Sequence, residues 1–124
     1  MNKNNEFEKF FKANYFLDGL TLNKLMFKSN QLYVKIEDFA EINQFIDWCC
    51  NNRFISFEKV DEFKDLSHEI YDMDTNVHFI YDESFGLRCV VLTDYDYQEC
   101  FKTITTYQNF IKGDISYYGY NTHN

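Results

Sequence analysis

Val77-His78-Phe79-Ile80-Tyr81-Asp82-Glu83-Ser84-Phe85-Gly86-Leu87-Arg88-Cys89-Val90-Val91-Leu92-Thr93 is the stretch on which the fold turns. Val77, Phe79 and Tyr81 alternate with their neighbours, Asp82 to Gly86 has turn chemistry, and Leu87 to Thr93 supplies a return strand. The spacing predicts a β-hairpin. Downstream, Asp96 with Glu99 three residues on reads as a capping box, in which each side chain serves an unpaired backbone N–H. Tyr97, Cys100, Phe101, Ile104, Tyr107 and Ile111 then keep helical spacing up to Gly113, a good C-terminal stop.

The first half reads as a similar plan. Leu25 and Phe27, then Leu32, Val34 and Ile36, alternate around Ser29-Asn30-Gln31 and predict another hairpin. Asp38 and Glu41 give a second acidic cap, followed by Phe39, Ile42, Phe45, Ile46 and Cys49 at helical spacing to about Asn52. Residues 54–60 read as an extra strand. Before all this, Phe7, Phe10 and Phe11 mark a short helix within 5–16, broken by Gly19. A shift of 58 residues lays Leu32-Val34 on Val90-Leu92, Asp38 on Asp96, Glu41 on Glu99 and Ile46 on Ile104. This suggests a strand–strand–helix pseudo-repeat, with sub-units over 20–53 and 77–113. Between them Phe63, Leu66, Ile70 and Met73 mark the inner stripe of an amphipathic connector helix within 61–76. The expectation is one α+β domain over 1–124: an antiparallel sheet of two hairpins plus an extra strand, with helices packed on one face. The tail, 114–124, is rich in tyrosine.

Composition limits what such a domain can do. The chain has 124 residues, 45% of them hydrophobic, which is enough for a single buried core and too hydrophobic for a disordered chain. Twenty acidic side chains against 12 basic ones give a net charge of −8, opposite to what general nucleic-acid binding needs. No run of about 18 apolar residues offers a membrane span, and the amino terminus lacks the build of a secretory signal. Cys49, Cys50, Cys89 and Cys100 lack framework spacing, so four free thiols in a cytoplasmic protein are expected.

Chemical motifs are few. No glycine-rich phosphate loop and no C-x-x-C pair occurs, and Ser67-His68 lacks the strained turn of a nucleophile. Asp72, Asp74, Asn76 and Glu83 fall at positions 1, 3, 5 and 12 of a calcium loop. Val77 stands where the pattern needs glycine, and strands stand where it needs a loop and a helix. His68, His78 and His123 share no ligand spacing; His68, four residues from Asp72, reads as half of a surface pair. Asp94 and Asp96 read as caps. Neither catalysis nor a metal or other cofactor is implied.

Charge and aromatics carry the remaining signal. Residues 61–99 hold 11 acidic side chains against Lys64 and Arg88, a net −9, while the other 85 residues sum to +1. Asp61, Asp65, Glu69 and Asp72 share a helix face, with Glu62 on its shoulder and Asp74 just beyond. Five carboxylates over about 16 Å give a spacing like that of phosphates on a single strand. Twenty-five aromatic residues include 14 phenylalanines, most of which must fill the core. Tyrosines near acids, among them Tyr117, Tyr118 and Tyr120, make good protein-contact surface.

In build, the chain resembles accessory proteins of AT-rich bacteria and their phages. It is similar to the small acidic inhibitors of host defence nucleases (anti-CRISPR and anti-restriction proteins) and to immunity proteins that neutralise a basic toxin. No single residue carries that likeness. It implies a nucleic-acid mimic with a basic protein partner, no direct nucleic-acid binding and no membrane. The sequence leaves alternatives of other classes, a small-ligand module with its pocket between hairpin and helices, and an enzyme with no readable motif.

Overall fold

A computed structural model describes residues 18–99 and 102–116. The elements are α1 (Gly19–Lys28), β1 (Leu32–Lys35), α2 (Ala40–Asn51), a 3-10 turn (Phe57–Lys59), α3 (Val60–Met73), β2 (Val77–Asp82), β3 (Gly86–Val91), α4 (Asp94–Glu99), β4 (Thr103–Thr106) and α5 (Tyr107–Lys112). The class is α+β, as expected, but the sheet is mixed. Its order is β3-β2-β1-β4, antiparallel across the first two pairs and parallel between β1 and β4.

The central hairpin forms as read, from Val77 opposite Val91 to Asp82 opposite Gly86. The Asp82 carboxylate closes its turn, accepting the N–H groups of Ser84 at 2.7 Å and Phe85 at 3.2 Å. The other expected hairpin is absent, because its first arm is helix α1. Asp18 caps that helix by accepting the Thr21 N–H at 2.9 Å, and Leu22, Asn23, Met26 and Phe27 bury one face. Two alternating residues, Leu25 and Phe27, were too few to distinguish strand from helix. Residues 54–60 are not a strand either. Only Phe54 and Val60 of that run are buried, and Phe57 is 85% exposed.

One helix end recurs. Asn30, Arg53 and Gly113 all take left-handed backbone, with φ of 64°, 67° and 76°. Each is followed by an N–H reaching back five residues, from Gln31 to Met26, Phe54 to Cys49 and Asp114 to Asn109. These are Schellman endings, two of them without glycine. At Gly113 glycine is required twice over: its φ is positive, and a Cβ there would stand 2.8 Å from the Leu20 backbone nitrogen. Gly19 lies against the same spot, where a Cβ would meet the Gly113 carbonyl oxygen. Gly113→Ala should cost about 1–2 kcal/mol, read as a lower urea midpoint at unchanged slope.

The long second helix expected after Asp96 is interrupted. α4 ends at Glu99, and Thr103-Ile104-Thr105-Thr106 is strand, pairing in parallel with Leu32–Lys35. A β-branched run prefers that state, and it outweighs a helical spacing met by chance. Cys100 and Phe101, like the 5–16 helix and the tyrosine tail, lie outside the described residues. The caps also differ. Thr93, not Asp96, caps α4, and Asp96 accepts the Thr93 N–H at 2.8 Å in return. Glu41 bonds the Glu37 N–H at 2.9 Å, while Asp38 bonds Ala40. Leu32–Val34 is an inner strand and Val90–Leu92 ends an edge strand, so the pseudo-repeat has no structural counterpart.

Leu32, Val34, Val77, Phe79, Thr103 and Thr105 form the buried sheet face, under α1, α2, α3 and α5. α4 departs from the one-sided arrangement expected: its Tyr97 reaches His78 on the opposite face. The core is aromatic, as the composition required. Phe45 sits at its centre, with ring centroids 5.5 Å from Phe27, 5.2 Å from Phe79, 5.7 Å from Phe110 and 5.8 Å from Trp48.

Candidate functional site

Helix α3 runs from Val60 to Met73, and its inner face is Val60, Phe63, Ser67 and Ile70 with Tyr71 alongside. The expected inner stripe is half right. Leu66 is 49% exposed and Met73 81%, both turned outward, because the buried centre of the helix is Ser67. Ser67 is fully buried without penalty because its hydroxyl donates to the Phe63 carbonyl at 2.8 Å. Lys64, the basic residue within the acidic row, is turned away from it and bonds Asp47 of α2 at 2.7 Å.

That geometry leaves Asp61, Glu62, Asp65, Glu69 and Asp72 exposed on the outer half of α3. None of the five is in an ion pair among the described residues. Asp61 and Glu62 lie in the first turn, where negative charge suits the helix dipole. Asp65, Glu69 and Asp72 have no such role; they repel one another at i,i+4 and i,i+3 spacing, costing a few tenths of a kcal/mol per pair. Asp74 is exposed but engaged locally, its carboxylate accepting the Asn76 N–H at 2.9 Å. Tyr117, Tyr118 and Tyr120 lie outside the described residues.

The calcium-loop spacing comes apart in the fold. Asn76 donates its side-chain amide to the Leu92 carbonyl, and strand β2 carries Glu83 to the far end of the hairpin, about 20 Å away. His68 does not pair with Asp72. Its ring lies against Phe39, centroids 4.7 Å apart, and its buried Nε2 has no hydrogen-bond partner among the described residues.

His78 is a polar centre that spacing could not reveal. It is fully buried, with Nδ1–H donating to the Asn76 carbonyl at 3.0 Å and Nε2 accepting from the Tyr97 hydroxyl at 2.7 Å. Burial lowers its pKa to about 4, so the ring is neutral at pH 7. Both nitrogens are committed, which makes it a fastener between α4 and the sheet rather than a free base. Cys49, Cys50 and Cys89 are free thiols, as expected; Cys100 is outside the described residues. Burial raises the Cys49 thiol pKa and takes that of Cys89 to about 11, so neither is a ready nucleophile.

A second feature adjoins the acidic face. An open groove of about 370 Å³ lies between the start of α3 and the hairpin tip, walled by Phe54, Ile55, Phe63, Leu66, Phe85 and Leu87. Sequence spacing could not show it, since Phe54 and Phe85 meet only through the fold. Among the described residues no helix is long and apolar enough to cross a membrane.

No family model, curated protein or solved structure matches the chain. The site is therefore read from its own geometry.

Proposed function

We propose that this protein is a small acidic inhibitor that occupies a basic, nucleic-acid-binding surface of a protein partner. The carrying observation is the outer face of α3: exposed carboxylates in no ion pair among the described residues, on a helix whose inner side is fixed in the core. Such a row attracts a basic groove and speeds encounter with it. In this reading the protein works by occupancy and performs no reaction, binds neither nucleic acid nor membrane, and acts in the cytoplasm, which its free thiols suit. Likeness in build to phage anti-defence inhibitors makes a nuclease the favoured partner; a basic toxin, as for an immunity protein, would use the same face.

The test is a triple variant, Asp65→Asn, Glu69→Gln and Asp72→Asn. It spares the first-turn acids and relieves repulsion, so folding should be unchanged or slightly improved. Immobilised wild-type protein should recover a basic nuclease or toxin from host lysate, with recovery falling as salt rises and on adding a single-stranded oligonucleotide. The variant should bind the recovered partner at least tenfold more weakly, about 1.4 kcal/mol, at moderate salt. A folded variant that binds like wild type would reduce the acidic face to a solvated surface.

A further inference from the structure

Charge alone attracts a partner but does not seat it, and the groove beside the acidic face offers what charge lacks. Its walls are more apolar than polar, with Ser56, Lys59 and Glu62 among them, and two apolar side chains stand open: Phe85 is 77% exposed and Leu66 49%. Outside the lining, Phe57, the residue after Ser56, is 85% exposed. Large apolar side chains left in water at one place are a common mark of a contact surface. The exposure is built in, not loose. Asp82 holds the turn that presents Phe85, and Gly86 beside it has φ +82°, a conformation that glycine takes without strain.

The charge around the groove selects its occupant. Lys59 and Glu62 line it, and beyond the lining Glu58, Asp61 and Asp65 stand exposed on the same turns of chain, while Lys64 there is paired with Asp47. A mainly apolar slot flanked by net negative charge on the neighbouring turns complements a segment with large apolar side chains on one side and Lys or Arg on the other. We propose that the groove between α3 and the β2–β3 tip receives the apolar side chains of such a basic amphipathic segment of the partner. This rests on the acidic-face reading and adds the anchor to it: the carboxylates steer, and Leu66 and Phe85 hold.

Three 14-residue helical peptides serve as probes, with full-length ¹⁵N-labelled protein: one of Leu and Lys with Leu at i, i+3, i+4 and i+7, one with Ser for Leu, and one with Glu for Lys. The Leu/Lys peptide should bind at least tenfold tighter than either other and shift the amides of residues 54–66 and 85–87. Phe85→Ser and Leu66→Ser, both at exposed positions, should keep the melting temperature and weaken that peptide about tenfold at low and high salt alike. The triple acid variant should instead lose its salt dependence. If the Ser/Lys peptide binds equally well, or the shifts follow Asp65, Glu69 and Asp72 and spare the groove, the anchor is overturned and the acidic-face reading stands. If no peptide binds while free indole moves the groove amides, the site is a small-ligand pocket and the proposal fails. If neither peptides nor indole bind, the proposal fails too, and should the lysate experiment also yield nothing, both readings fall.

Discussion

Phe45→Ala should lower stability by about 3–5 kcal/mol, the largest effect expected from a single change in this chain. Phe45 is fully buried, and its ring meets those of Phe27, Phe79 and Phe110 within 6 Å, drawn from α1, the sheet and α5. Removing it strips contacts from every layer at once, and neighbouring rings are too rigid to collapse into the space. A domain of this size holds roughly 5–15 kcal/mol in total, so the variant should be partly unfolded at 37 °C. Urea titration can follow this through Trp48, which stacks on Phe45 at 5.8 Å. Phe85→Ala, at the exposed hairpin tip, is the control and should move the midpoint little. A Phe45→Ala protein as stable as wild type would mean that the core is not centred on this ring.

Acid should weaken the fold well above the pH at which carboxylates protonate. His78 has its pKa lowered from 6.5 to about 4, chiefly by burial and secondarily by Lys35, against the opposing bond to Asn76. The unfolded chain therefore takes up a proton below pH 6.5 that the folded chain refuses. Stability is full above that value and falls by up to about 1.4 kcal/mol per pH unit until about pH 4. The loss should total about 2–3 kcal/mol, allowing for water near half-exposed Tyr97. Asp18, Asp96 and Asp114 have pKa values lowered from 3.8 by their cap and turn hydrogen bonds, so they act beneath that window. His78→Gln keeps a donor and an acceptor at the site and should flatten the slope between pH 6.5 and 4 in denaturation measured across that range. An unchanged slope would move its origin to another group.

The legible parts of the fold were those with redundant signals. The hairpin had alternation on both arms and a turn rich in Asp, Ser and Gly, and α2 had four apolar residues in phase, Ile42, Phe45, Ile46 and Cys49. What failed had one weak signal each. α1 was hidden because its buried face includes Asn23, whose amide donates to the Phe110 carbonyl at 3.1 Å. Asn30 and Arg53 end helices in a conformation that sequence reading looks for at glycine. β4 depends on a parallel partner far along the chain, and no local pattern announces that. At the candidate site the acids were legible because Asp61, Asp65, Glu69 and Asp72 share a face at helical spacing, with Glu62 on its shoulder. Leu66 and Met73 were misplaced because the buried face is centred on Ser67, a polar residue that an apolar stripe does not count.

The parallel pairing of β1 with β4 sets the order in which the chain can assemble. The β2–β3 hairpin closes across three residues and can form in microseconds. Leu32 meets Thr103 across about 70 positions, a closure whose entropy must be met before any ladder bond forms. β1 therefore waits longest for its second neighbour, although it is an inner strand of the finished sheet. Until β4 arrives, one side of Leu32–Lys35 is an open edge beside buried-type side chains, able to pair with the same strand of another molecule. Refolding yield should thus depend on protein concentration through this one delayed strand, a vulnerability that the completed sheet conceals.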